Sequence, residues 1–296
     1  LISIIALESA IEPQDHEIGD LIRGLLGEDT IVRLADAGRT TVAEVVDVVV
    51  KVSRRNHPIP ADLVEGPLSE AWYWPEAEEV LAQHGSHLIV VVEDGRTETA
   101  EESNEQALND QESTITEETE DDSSGSPSLS GQNNPPALDA EKIRFSVQSA
   151  LLLTRVTQVI GAAVGAVAVY WDASTTIHSW SAFNDSCEQM SPDNLPMRIW
   201  VDFRIWEATD GTRGLVTRGL STLGQRELEV IGSSSSAEQI RAWCYTVAHY
   251  CLEKCEILVH GQAVGISPKE WIRAWVVESR LDPGHWATWL DLEAEE

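Results

Sequence analysis

The chain has 296 residues and is 42% hydrophobic, enough to bury a real core in one or two domains. Its formal charge of −30, from 50 acidic residues against 20 basic ones, repels nucleic acid and anionic lipid, which argues against phosphate-backbone and membrane-surface binding. Four cysteines are too few for a disulfide framework, so a reducing cytoplasm is the expected compartment.

Taken in order, Ser3–Leu7 reads as a strand and Asp15 to Leu26 as a helix, with Ile18, Leu21, Ile22 and Leu25 on one face and Gly27 as its stop. Val42 to Val52 is strongly β-branched and reads as one strand, paired with Thr30–Leu34. Asn56 to Pro60 is extended, because the residue before each proline is pushed out of the helical region. Pro75 suits a first helical position, and Glu76, Glu78 and Glu79 favour the positive end of the helix dipole. Ala77, Leu81 and His84 share a face of this helix, and Gly85 supplies a left-handed stop. Leu88–Val92 is an unbroken aliphatic run, the mark of a strand buried on both faces.

The next stretch is different material. Between Glu93 and Glu141 there are fifteen acidic residues and one basic residue, a local charge of −14, and almost no apolar side chains between Arg96 and Pro136. Such a segment cannot bury enough surface to offset its ordering entropy and is expected to be a disordered acidic insertion.

Order resumes at Asp139, a helix cap, followed by a stripe of Leu152, Val156, Val159 or Ile160, and Ala163. The strand Ala166–Trp171 follows. The apolar window Val156–Trp171 is too short, and too broken by Thr157, Gln158, Gly161 and Gly165, to span a membrane. A short helix is expected over Phe183–Met190. Ile199–Trp206 alternates as a half-buried strand with Trp200, Asp202, Arg204 and Trp206 on its polar face. Gly214–Thr217 and Glu227–Ile231 read as strands, Ala237 to Cys255 as a helix, and Trp271–Glu278 with Trp286–Leu292 as a final hairpin. The fold class this order predicts is α+β. Two ferredoxin-like α/β half-modules of βαββαβ type, residues 1–95 and 139–296, pack together and are joined by the acidic linker at 96–138.

Several runs of the second half resemble a bacterial family without an assigned activity, domain of unknown function 4261. They are Val169-Tyr170-Trp171 with His178 and Phe183, Leu195-Pro196, Trp200 to Arg204, Gly214-Leu215, Gly219-Leu220, Leu223-Gly224, Glu227-Leu228-Glu229, Ala248-His249-Tyr250 and Gly261 to Gly265. Tyr73 to Ala77 is similar to the sequence that precedes that domain in longer members. The long acidic insertion departs from the family's short connection, and the match weakens after Gly265. The resemblance implies no activity.

No phosphate loop, dinucleotide fingerprint or zinc-protease motif occurs, and no cofactor or metal is expected. Gly219 to Gly224 is superficially like a nucleophile elbow, but its second glycine falls one residue late, so a turn is expected instead. Cys244, Cys251 and Cys255 lie on one helical face, which cannot wrap a tetrahedral metal; they read as buried small hydrophobes. His249 and His260 read as a core-edge and a turn histidine.

Three residues are the weak catalytic candidates: His178, after a strand end, and Asp202 and Arg204 on one face of the next strand. The plainer reading is an ion pair on a solvated face and a histidine that ties down a loop. Eleven tryptophans are many for this length, and Trp72 and Trp74, at a helix start, are candidates for partner contact. The plainer reading there is a roof over the sheet with each indole N–H hydrogen-bonded. Together these features favour a non-enzymatic, soluble protein-binding module, immunity-like or secretion-accessory, that meets a basic protein partner. The alternative is a small-molecule binder or enzyme using His178, Asp202 and Arg204.

Overall fold

The computed structural model describes residues 1–8, 15–71, 73–96, 135–267 and 270–293. Residues 97–134, most of the linker expected at 96–138, lie outside them, as does Trp72. The chain is α+β, with two sheets and a buried helix between them.

The first half runs β1 (Ile2–Leu7), α1 (Asp15–Leu26), β2 (Ile31–Ala35), β3 (Thr40–Val45), β4 (Val48–Arg55), α2 (Ala61–Glu70), α3 (Ala77–Gln83) and β5 (Ser86–Asp94). The expected single strand at 42–52 is two. The chain reverses at Val46, which is 97% exposed with φ 47°, and Asp47, so the β-branched residues on either side pair with each other as a hairpin. That extra strand changes the topology. β2, β3, β4 and β5 form an antiparallel meander, and β1 lies beyond β5, antiparallel to it. The four-stranded ferredoxin-like arrangement expected from the βαββαβ order does not form here.

α2 spans Gly66 and Pro67, which as local signals argue for a break; it buries Val64 and leaves Gly66 on the solvent side. α3 begins after Glu76 and ends before His84, two residues inside the expected limits at its start. Gly85 is not left-handed. Its N–H instead donates to Leu7 O at 3.0 Å, so the chain enters the sheet at once.

α4 (Ala140–Val164) opens the second half, capped by Asp139, whose carboxylate accepts the Glu141 N–H at 2.8 Å, and stopped by Gly165 at φ 69°. Its buried aliphatic residues are Ile143, Val147, Ala150, Leu153, Val156, Ile160 and Val164, a stripe rotated from the expected one; Leu152 is half-buried and Ala163 exposed. By length and apolarity this helix would suit a bilayer, but 56% of its apolar window is buried inside the fold. Trp180 lies directly over Gly161, where an added Cβ would come within 2.4 Å of the indole.

β6 (Ala166–Trp171) and β7 (Thr176–Ser179) then join the first sheet through β1, giving the order β2-β3-β4-β5-β1-β6-β7, antiparallel throughout. Both faces of this sheet are covered. Ile5, Leu7, Leu88, Val90 and Val92 meet α1 and α4, while Ile4, Ala6, Ala168, Tyr170 and Ile177 meet Ile59, Val64, Ala77 and Leu81 on the α2–α3 side.

The rest is α5 (Trp180–Glu188), α6 (Met197–Trp200), β8 (Asp202–Glu207), β9 (Arg213–Arg218), β10 (Glu227–Ser233), α7 (Ala237–Glu253), β11 (Gln262–Ser267), β12 (Glu270–Glu278) and β13 (Trp286–Asp291). The second sheet has the order β11-β12-β13-β10-β9-β8, with β10 and β13 parallel. α7 packs on one of its faces, and a single buried cluster runs from the first sheet through α4 to Leu215, Val230, Ile272 and Leu290 in the second. Ile199 to Val201 is not strand. Trp200 ends a helical turn, is fully buried, and donates its indole N–H to Thr154 Oγ1 at 2.9 Å, so it belongs to the core rather than to a polar face.

Candidate functional site

β7 is the last strand of the first sheet and β8 the last strand of the second. The candidate residues gather at the seam between these two edges. Thr175 turns the chain into β7 with φ 52°, and the strand's alternation sends Ile177 into the apolar cluster under α2. Thr176 and His178 therefore point the other way, and a chain of short bonds follows. His178 Nε2 lies 3.0 Å from Thr176 Oγ1, which lies 2.7 Å from Ser174 Oγ, which donates to the carbonyl of Ile199 at 2.8 Å.

The proton positions follow from the far end, since a carbonyl only accepts. Ser174 donates to Ile199 O, so it accepts from Thr176, whose oxygen then accepts from His178 Nε2–H. This assignment of the tautomer comes from the network. The relay ends at a backbone carbonyl that cannot take up a proton, so Nε2 is spent on structure. His178 is 8% exposed, and burial pushes its pKa down to about 4, which keeps the imidazole neutral.

Tyr73 closes the site from the first half. Its ring stacks on His178 with centroids 6.1 Å apart, and its hydroxyl donates to Ile177 O at 2.8 Å. Burial of that end, with the nearby Asp202 carboxylate adding to it, pushes the phenol up to about 12. Arg204 ties the other side. It is ion-paired with Asp202 on its own strand and with Glu70 at the end of α2, where Nη1 donates to Glu70 Oε1 at 2.9 Å. Thr175 Oγ1 accepts from Arg218 at 2.9 Å and from Arg204 at 3.5 Å. Arg204 thus has its charge offset by two carboxylates, while Arg218 reaches the same Thr175 hydroxyl from β9.

The structure thus brings His178, Asp202 and Arg204 to one seam. Asp202 and Arg204 pair with each other, and His178 bonds instead to Thr176 and stacks on Tyr73. Two cavities lie elsewhere. One, of about 740 Å³, is an apolar groove between Ile18, Leu21 and Leu25 of α1 and Val159 and Val164 of α4. The other, of about 390 Å³, is bounded by Val92, Phe145, Ser149 and Thr222. Neither includes any of the three candidates. Tyr73, Glu70 and Arg218 were not singled out by sequence reasoning. Tyr73 stands in a Trp-Tyr-Trp run that draws attention to its neighbours, and no local signal marks Glu70 or Arg218.

Trp74 is half-buried against the α2–α3 side of the first sheet; Trp72 lies outside the described residues. Cys187, Cys244 and Cys251 are buried, and burial lifts each thiol to about 12, so none is a ready nucleophile. Cys255 falls just past α7, at φ 52°. Among the described residues no group of three His, Cys, Asp or Glu side chains is placed to hold a metal. Ser221 is in a 3-10 turn and donates to Glu227 Oε1 at 2.8 Å; the same carboxylate accepts the N–H groups of Gly219 at 3.0 Å and Ser221 at 2.9 Å. Glu229 is 1% exposed and accepts from Ser279 and from the Arg280 N–H, fixing the turn after β12. These motif residues hold loops. No family model matches the chain, and no curated protein or solved structure matches it either.

Proposed function

We propose that the chain is a non-enzymatic protein-binding module of the cytoplasm whose acidic surface meets a basic protein partner, in an immunity-like or secretion-accessory role. The observation that carries this reading is the closed seam. Its buried histidine donates into a dead-end chain, Arg204 is neutralised by Asp202 and Glu70, and neither of the two cavities described above includes these residues, while the chain as a whole carries −30. The motifs that resemble domain of unknown function 4261 are part of the proposal only as kinship, because that family brings no activity.

The test is affinity capture from the native host on the full chain with salt-stepped elution. A basic protein retained in stoichiometric amount and released at moderate salt is the expected result, since exposed charge pairs are screened over about 10 Å at 0.1 M salt. No protein retained at low ionic strength would sink the electrostatic reading and return attention to small-molecule binding near His178.

A further inference from the structure

We propose that the outer edge of β2 receives an extended, positively charged segment of the protein partner as an added antiparallel strand. This rests on the protein-binding reading above and names its surface. A sheet edge presents alternate backbone N–H and C=O groups to whatever lies beside it, and proteins that do not use an edge guard it with charge, proline, bulges or a covering element. The four edge strands here are β2, β7, β8 and β11. β7 and β8 face the seam that Tyr73 and Arg204 tie together. β2 pairs with β3 on one side, and among the described residues no backbone bond crosses its other side.

Its side chains are equally unguarded. Among the described residues β2 is the only edge strand with large apolar residues exposed: Ile31 is 64% and Leu34 55% exposed, one on each face by the period of two. Arg33, the charge that would guard the edge, is engaged with the neighbouring strand, its Nε donating to Glu44 on β3 at 3.0 Å. The strand is nevertheless firmly seated, because Gly19 lets α1 approach Val32 so closely that a Cβ there would meet its methyl at 3.0 Å. An open strand with apolar side chains on both faces is the template that strand addition uses, with the backbone supplying affinity and the side chains selectivity.

Charge selects the occupant. From Glu28 to Asp47 there are five acids and two arginines, and one of the arginines is already paired with one of the acids. Glu28 and Asp29 precede the strand, Asp36 follows it and Asp47 stands at the next turn, all exposed. A second copy of this chain would bring the same acids together about a twofold axis, whereas a segment alternating lysine or arginine with apolar residues would place its cations among them.

The probe is a fluorescein-labelled peptide alternating lysine and valine, roughly eight residues long, the length of an ordinary strand. The full chain should bind it at low ionic strength, lose it as salt rises, and gain hydrogen-exchange protection at the amides of 31–35. The double variant Ile31→Lys, Leu34→Lys, with both changes on exposed side chains, should keep its melting temperature and bind about tenfold more weakly. Absent binding, binding without protection at 31–35, or equal binding by the double variant overturns the edge as the site. If that variant still captures a basic host protein in a salt-sensitive way, the broader reading survives its loss. If neither protein captures one, the broader reading fails. Sedimentation of the wild type as a dimer that the variant splits would make the occupant a second copy and overturn the basic-segment proposal.

Discussion

The two sheets solve the same burial problem differently. The first is covered on both faces, by α1 and α4 on one and α2 and α3 on the other, so β5 is an aliphatic run in which Leu88, Val90 and Val92 go to one side and Ile89 to the other. Among the described residues, the long helix packed on the second is α7, on one face. Its β12 alternates: Ile272, Ala274 and Val276 are buried, and Trp271, Arg273, Trp275 and Val277 form a half-buried outer surface. There Trp275 stands opposite Trp289, the Arg273 guanidinium lies 5.5 Å from the Trp271 ring and 5.9 Å from that of Trp275, and Arg280 lies 5.5 Å from Trp289. Large aromatic side chains roof a sheet that, among the described residues, has no second long helix packed on it. That accounts for part of the tryptophan surplus without a partner, although the expected hydrogen bond for each indole is not met: the N–H groups of Trp275 and Trp289 are buried and make none among the described residues.

The comparison is broken or upheld most directly by truncating one aliphatic residue in each sheet. Leu88→Ala empties a fully buried site at the centre of the doubly covered sheet and should destabilise the chain by about 2–5 kcal/mol in urea unfolding. Val277→Ala, on the outer face of the second sheet, should cost about 1 kcal/mol or less. Equal losses would mean that the outer face of the second sheet is as enclosed as the first.

Acid sharpens the same contrast. The first sheet and its connections bury His84, His87 and His178, whereas His249 is half-buried and His285 exposed on the other side. Burial holds His178 at about 4, below its ordinary 6.5, so between those values the unfolded chain binds a proton that the folded chain refuses. Stability therefore falls as pH drops from 6.5 towards 4, with no further loss from this group below that, and the contribution amounts to about 3 kcal/mol. Carboxylates titrate in the same range, so the measurement is the difference in urea midpoints between wild type and His178→Gln at pH 7 and pH 4.5. The variant should lose less on acidification; an identical loss would show that His178 is not held neutral.

How much of this was legible beforehand follows the same division. Where one residue type fixes local geometry, the sequence sufficed: α1 runs from Asp15 to Leu26, Asp139 caps α4, Ala166–Trp171 is a strand, and the last two long strands pair as a hairpin. Where long-range pairing decides, it did not. Nothing local says that β6 joins β1, or that Val46 rather than a glycine makes the reversal splitting 42–52. The seam shows both sides. Asp202 and Arg204 are two apart on a strand and were readable as a pair, but their tie to Glu70 spans 134 residues and His178's cover, Tyr73, comes from the other half.

Close approach gives a smaller test. In the helical layer over the first sheet, an alanine at Gly161 would put its Cβ within 2.4 Å of the Trp180 ring. Gly161→Ala should destabilise by about 1–3 kcal/mol through that overlap, despite the roughly 1 kcal/mol that alanine gains over glycine inside a helix. Gly265, on β11 of the second sheet, has nothing within 4 Å of its added Cβ, so Gly265→Ala should stay within about 0.5 kcal/mol of wild type. A neutral Gly161→Ala would mean that Trp180 is free to move aside, and that the covered layer is less tightly packed than its burial suggests.

The smallest expected effect tests the roof itself. If Arg273 only decorates the outer face, Arg273→Ala changes nothing; if its guanidinium stabilises the two indoles it lies over, removal costs about 0.5–1 kcal/mol, the range for exposed cation–π contacts. Arg273 also stands opposite Asp291 in the β12–β13 register, so a loss alone would not separate ring stacking from charge pairing. A double-mutant cycle with Trp275→Leu does. Coupling of several tenths of a kcal/mol that persists at high salt belongs to the ring contact, because the aromatic partner carries no net charge and the stacked cation is partly shielded from solvent. Coupling near zero, with the whole loss disappearing in salt, would assign Arg273 to Asp291 and leave the tryptophans as a purely apolar cover. The second sheet would then differ from the first only in how thinly it is covered, not in the kind of interaction that covers it.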